Sequence, residues 1–190
     1  MSDKKKTSAR RPAKPEAVAK SPQSAAGRRA AEAQLRTLIT KFAPKQSKLV
    51  ASMRRSLRIR LPTCFEVVYE YRGWFVISYS PSEHGYEGVL AIRGDADGVK
   101  FYFNKGKDLP DPEKLLKGSS QTRFIDLASA STLARPAVVS LIDEAIARNP
   151  VPFARRGAGP VIIRSAAAKK SGKKSPVKNL PARKSPRRPA

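Results

Sequence analysis

The chain has 190 residues, 39 Lys/Arg against 15 Asp/Glu for a formal charge of +24, and a single cysteine. That length leaves room for one ordinary domain with appendages. A lone cysteine excludes an intramolecular disulfide, no apolar run nears the ~20 residues of a membrane-spanning helix, and the charge favours polyanionic partners over small neutral substrates. The excess charge is segregated. Residues 1–30 hold nine Lys/Arg and two acids, residues 31–150 hold eighteen and thirteen, and residues 151–190 hold twelve and none; the net charges of +7, +5 and +12 make up the total.

Residues 1–27 are rich in Lys, Ala, Ser and Pro without apolar periodicity, so they cannot bury enough surface to offset their ordering entropy and are expected to be a disordered basic arm. The cations there have no apolar stretch behind them, which argues against a secretory signal, and Pro12, Pro15 and Pro22 argue against an amphipathic transit helix. Helical signal begins near Arg28: Leu35, Leu38, Ile39 and Phe42 fall on one stripe. Pro44 breaks that pattern and opens a second helix, in which Leu49, Met53 and Leu57 form the apolar face and Arg54, Arg55 and Arg58 the opposite one. This helix ends before Pro62.

At Thr63 the period changes to two. Phe65, Val67, Tyr69 and Tyr71 alternate with Glu66, Val68, Glu70 and Arg72, which predicts a strand. Further strands are predicted at 74–79, 88–93, 99–103 and 122–127, separated by turns at 72–73, 81–85 and 94–98. Residues 109–118 (LPDPEKLLKG) predict a short helical turn with Asp111 as N-cap and Gly118 as C-cap. Ser131 or Thr132 can cap a final helix with Val138, Leu141, Ile142, Ala145 and Ile146 on one face, stopped at Asn149-Pro150. Strands joined by tight turns pair antiparallel, because a parallel pair needs a long crossover. The expected fold is therefore α+β: an antiparallel sheet of about five short strands, two N-terminal helices and one C-terminal helix covering it, with disordered tails. The domain is placed at 28–150, and 151–190 is expected to be a basic Ser-Pro/Lys-rich tail.

Residues 98–103 (GVKFYF), Gly106, residues 109–118, residues 122–125 (TRFI) and the helix near 141–145 (LIDEA) follow one another in an order that resembles the YdhG-like domain family, mostly labelled as a domain of unknown function. The resemblance covers about residues 33–148 and is strongest over 98–126. The Gly-Met-Pro-like turn common after the family's second helix is missing, although Glu66 and Tyr69 are present. Some family members are described as frataxin-like iron chaperones, so the resemblance implies metal or small-ligand binding by the core as an alternative function. Iron at a surface needs clustered oxygen or imidazole ligands. The acids here are dispersed, and turn and cap chemistry alone selects Asp95, Asp97 and Asp111.

His84, the only histidine, sits between Glu83 and Glu87 in a Pro/Gly loop and reads as an exposed loop residue rather than a general base. Cys64 has no Cys/His spacing partner and reads as a small buried hydrophobe. The strand aromatics Tyr69, Tyr71, Trp74, Phe75, Tyr79, Phe101, Tyr102 and Phe103 could stack bases, but such residues are more often the packed face of a sheet. No phosphate loop, zinc spacing or nucleophile elbow is present, so neither enzymatic activity nor a cofactor is expected. Ser-Pro steps flanked by cations recur at 20–22, 174–178 and 184–188, and residues 166–174 (AAAKKSGKK) resemble histone-like tails. Proline keeps such a chain extended and its cations can track phosphates. The candidate binding residues are Lys169, Lys170, Lys173, Lys174, Lys178, Arg183, Lys184, Arg187 and Arg188. The expected partner is the backbone of DNA or RNA, bound without sequence preference through counterion release, and the expected location is cytoplasmic or nucleoid-associated, without membrane attachment.

Overall fold

The computed structural model describes residues 24–165. Two helices open it: α1 (Ala25–Ile39), whose N-cap Ser24 accepts from Gly27 N–H, and α2 (Pro44–Arg60), started by Pro44 at its first turn. Four strands follow in hairpin succession: β1 (Phe65–Tyr71), β2 (Trp74–Ser80), β3 (Leu90–Asp95) and β4 (Gly98–Phe103). The chain then forms β5 (Arg123–Asp126), α3 (Pro136–Ala147) and β6 (Val161–Ser165). The fold is α+β, with two helices before the sheet and one after its fifth strand.

The sheet is six-stranded and mixed rather than five-stranded and antiparallel. Its order is β5-β4-β3-β2-β1-β6, with β1 through β5 antiparallel and β6 parallel to β1, pairing Glu66 with Val161 and Glu70 with Ser165. Residues 151–165 therefore belong to the folded unit, and the basic tail does not begin at 151. The apolar, β-branched run Val161-Ile162-Ile163 carries this strand. The net charge of the surrounding segment masks the run when the sequence is read by composition. Gly159 and Pro160 dock the strand: Gly159 N–H donates to Pro62 C=O, and Glu66 N–H donates to Pro160 C=O, each at 3.0 Å. A Cβ at Gly159 would overlap the Cys64 carbonyl, so only glycine fits this approach.

Two further expectations are corrected. Residues 109–118 form no helix. Lys114 is left-handed (φ 53°), Lys117 bridges back to Phe124, and Asp111 accepts from Leu115 and Leu116 N–H at 2.9 and 2.7 Å. Asp111 thus acts as a cap without a helix behind it, while Leu115 and Leu116 pack on the core. Neither Ser131 nor Thr132 caps α3. Both lie in a 3-10 turn (Ala130–Ala134) capped by Ser129, and α3 starts at Pro136, because Arg135 before the proline is held extended.

All three helices lie on one face of the sheet. Leu35, Leu38, Met53, Leu57, Val138, Leu141 and Ile142 pack there against Val68, Phe75, Ile77, Leu90, Ile92, Phe101, Phe103 and Ile125 in one buried cluster. These strand residues share a parity. The opposite parity (Val67, Tyr69, Tyr71, Trp74, Val76, Arg93, Lys100, Tyr102, Phe124) points to the second face, where buried Phe65, Val67 and Ala91 stand apart from that cluster.

Candidate nucleic-acid interface

The nine tail cations expected to contact phosphate, Lys169 through Arg188, lie outside the described residues. Within the folded unit, cations gather where α1, α2 and the start of β6 meet. Arg28, Arg29 and Arg36 of α1 and Arg58 of α2 line an open groove of about 560 Å³ together with Glu32, Gly159 and Val161. A smaller groove, about 370 Å³, adjoins it along α2 and is lined by Ala51, Arg54, Arg55, Arg58 and Ile59. The first turn of α1 contains no acid to match the helix dipole, so Arg28 and Arg29 sit near its positive end uncompensated by an acid of that turn.

One buried acid organises this corner. Glu66 on β1 is 1% exposed, and Arg54 donates to both of its oxygens, at 3.0 Å from Nε and 2.5 Å from Nη2. Arg54 also reaches Glu32 at 3.1 Å, Arg58 donates to Glu32, and Arg58 Nη1 lies 3.8 Å from Glu66. The Arg54 side chain is thus largely buried and bridges α1, α2 and β1, contrary to the solvent-facing role its place in the helix predicts. Burial works to raise the Glu32 pKa, but Arg54 and Arg58 outweigh it and hold the carboxyl below its ordinary 4.5. With Glu32 so engaged, Arg28, Arg29 and Arg36 make no ion pair with any described residue, and all three are exposed. The groove therefore presents cationic, planar, bidentate donors, a donor set suited to phosphate.

Two other candidates from the sequence are placed as follows. Cys64 is buried in the core cluster, where desolvation, with Glu66 adding to it, pushes the thiol up to about 12, so it is no nucleophile at neutral pH. His84 is exposed and stacks on Tyr86 with ring centroids 5.3 Å apart. Among the described residues no three of His, Cys, Asp and Glu come together as a metal site. Asp95 accepts from Asp97 and Gly98 N–H, and Asp111 from Leu115 and Leu116 N–H, so these acids serve turns. No helix among the described residues is long and apolar enough to cross a membrane.

The strand aromatics divide between the two faces. Phe75, Tyr79, Phe101 and Phe103 are buried beneath the helices, whereas Tyr69, Tyr71, Trp74 and Tyr102 keep exposure on the second face. Sequence reading missed the arginine groove, because its members are spread over Arg28 to Arg58 and only the packing of α1 on α2 and β6 assembles them. The spacing of Arg28, Glu32 and Arg36 at four-residue intervals, one stripe of a helix, was the available signal. No family model, curated protein or solved structure matches the chain.

Proposed function

We propose that this protein associates noncatalytically with nucleic acid, without sequence preference, through basic arms that flank a folded α+β unit. The reading rests on the arginine-lined groove, in which Arg28, Arg29, Arg36 and Arg58 face solvent while the only carboxylate, Glu32, is held by Arg54 and Arg58. The groove lies beside the N-terminal end of α1, where the first arm joins the folded unit. The second arm continues from Ser165 at the end of β6 and brings the nine cations from Lys169 to Arg188. Phosphate tracking by such side chains releases counterions and needs no base contact, which is why sequence preference is not expected.

The test is binding to a labelled DNA duplex over a salt series, comparing the full chain with a chain ending at Ser165. That truncation keeps β6, whereas removing residues 151–190 would also strip a strand from the sheet. If the nine tail cations are engaged, the log–log salt slope flattens by up to about 8 on their removal. Equal slopes and affinities for the two chains would refute the role of the tail.

A further inference from the structure

The second sheet face carries the molecule's other unexplained surface. The Pro81 to Gly88 loop covers one end of it: Ser78 and Ser80 donate to the Gly85 and His84 carbonyls, and a side chain at Gly85 would run into the Tyr69 ring. The other end is bare. There Tyr71 and Trp74 stack with centroids 3.8 Å apart and planes 9° from parallel. Arg93, arriving from the strand on the opposite side of β2, lies over the Trp74 ring at 4.5 Å. Tyr71, at 37% exposure, presents the outer face of this Tyr–Trp–Arg stack to solvent. A second group lies across the sheet, where the Tyr102 and Phe124 centroids are 5.4 Å apart and Lys100 Nζ sits 5.2 Å over Phe124. Two strand spacings across and four residues along separate Trp74 from Tyr102, roughly 16 Å, so the two groups would engage different bases.

Resting on the reading above, we infer that this face binds single-stranded nucleic acid, with unpaired bases stacking on Tyr71 and Tyr102 and phosphates running between Arg93, Lys100 and Arg164. The pairing register sets these three cations in one row across the sheet: Arg164 opposite Tyr69, Tyr69 opposite Val76, Val76 opposite Arg93, and Arg93 opposite Lys100. The row ends at Asp126, which Lys117 engages at 2.9 Å; Arg93 pairs with Asp95 at 3.1 Å and Arg164 donates to the Glu83 carbonyl, each keeping further N–H donors for phosphate. Charge complementarity favours this occupant. A second copy of the chain, at +24, would bring like charge against the row, whereas a polyanion is attracted to it. Bases inside a duplex already stack on one another, so the face distinguishes single from double strands even though the tail does not.

Trp74 is the only tryptophan and serves as the probe. The full chain is titrated with fluorescently labelled dT and rU oligomers, a DNA duplex of equal length, and heparin, following Trp74 emission together with label anisotropy or heparin displacement. Single strands are expected to change Trp74 emission, while duplex and heparin bind without doing so. Tyr71→Ala should weaken single-strand affinity about five- to hundredfold and leave duplex affinity unchanged, and Tyr71→Phe should restore it. Tyr71→Ala gives up the ring stacked on Trp74, so it and Tyr102→Ala, which gives an independent reading, are both checked by circular dichroism. Single strands that bind with unchanged Trp74 emission and equal affinity for Tyr71→Ala would overturn the inference and leave the tail reading intact. Failure of every polyanion to bind would remove both. Trp74 emission that depends on protein concentration alone would assign the face to self-association instead.

Discussion

Replacing Arg54 by alanine tests whether the Glu66 network holds the two N-terminal helices to the sheet. The Glu66 side chain is 2% exposed and the Arg54 side chain 13%, so both groups have given up most of their hydration. Removing the guanidinium deletes both bonds to Glu66 and the link to Glu32, leaving a buried carboxylate whose nearest cation, Arg58, is 3.8 Å away. Breaking a buried pair from one side costs about 3–5 kcal/mol. The residual Arg58 attraction favours the lower end, about 3 kcal/mol, still a large share of the 5–15 kcal/mol typical of a domain. Urea unfolding followed by Trp74 emission and circular dichroism should show the midpoint falling by about 1–3 M. The double variant Arg54→Met with Glu66→Leu removes both charges and should lie close to the unmodified protein, since apolar replacement of a whole buried pair is often neutral or stabilising. A single variant within experimental error of the unmodified protein, or a double variant as unstable as the single, would refute the reasoning.

Two further outcomes follow from the docking of β6 and its surroundings. Cys64 should resist alkylation at pH 8 in the folded protein and react promptly in urea. Its raised pKa favours the thiol form, a contribution complete below pH 9 and lost as pH rises from 9.0 toward about 12; rapid native-state labelling would contradict this. Gly159→Ala should destabilise by about 3 kcal/mol, because its Cβ meets the Cys64 backbone rather than a yielding side chain, and limited proteolysis should then cut between α3 and β6; an unchanged melting temperature would count against that packing.

The parts of this fold set by local chemistry were legible in the sequence. Pro44 and Pro62 bracket α2, the alternation from Phe65 to Tyr71 is β1, and the short connections fix three antiparallel pairings, β1–β2, β2–β3 and β3–β4. What was not legible depends on contacts distant in sequence. Val161-Ile162-Ile163 is too short to announce a strand without the open edge of β1, about ninety residues earlier, to receive it. Arg54 falls on the polar side of its helix by periodicity, yet β1 offers a buried Glu66 there, and the pairing overrides the pattern. The aromatics read as one packed face because period-two alternation gives parity without saying which parity the helices cover. The tail cations were evident from composition, whereas the arginine groove required α1, α2 and β6 to be placed together.

The parallel seating of β6 on β1 has a consequence for how the protein is made. During synthesis β1 emerges early and pairs with β2, but its other edge waits for residues 161–165. At ribosomal speeds that interval lasts about 5–20 s. Throughout it Glu66 to Glu70 offer unpaired backbone groups beside Val67 and Val68, an arrangement open to wrong pairing with neighbouring nascent chains. The strand that ends this exposure directly precedes the polycationic residues 169–188 in sequence, so the sheet can close only once that charged stretch is itself being made.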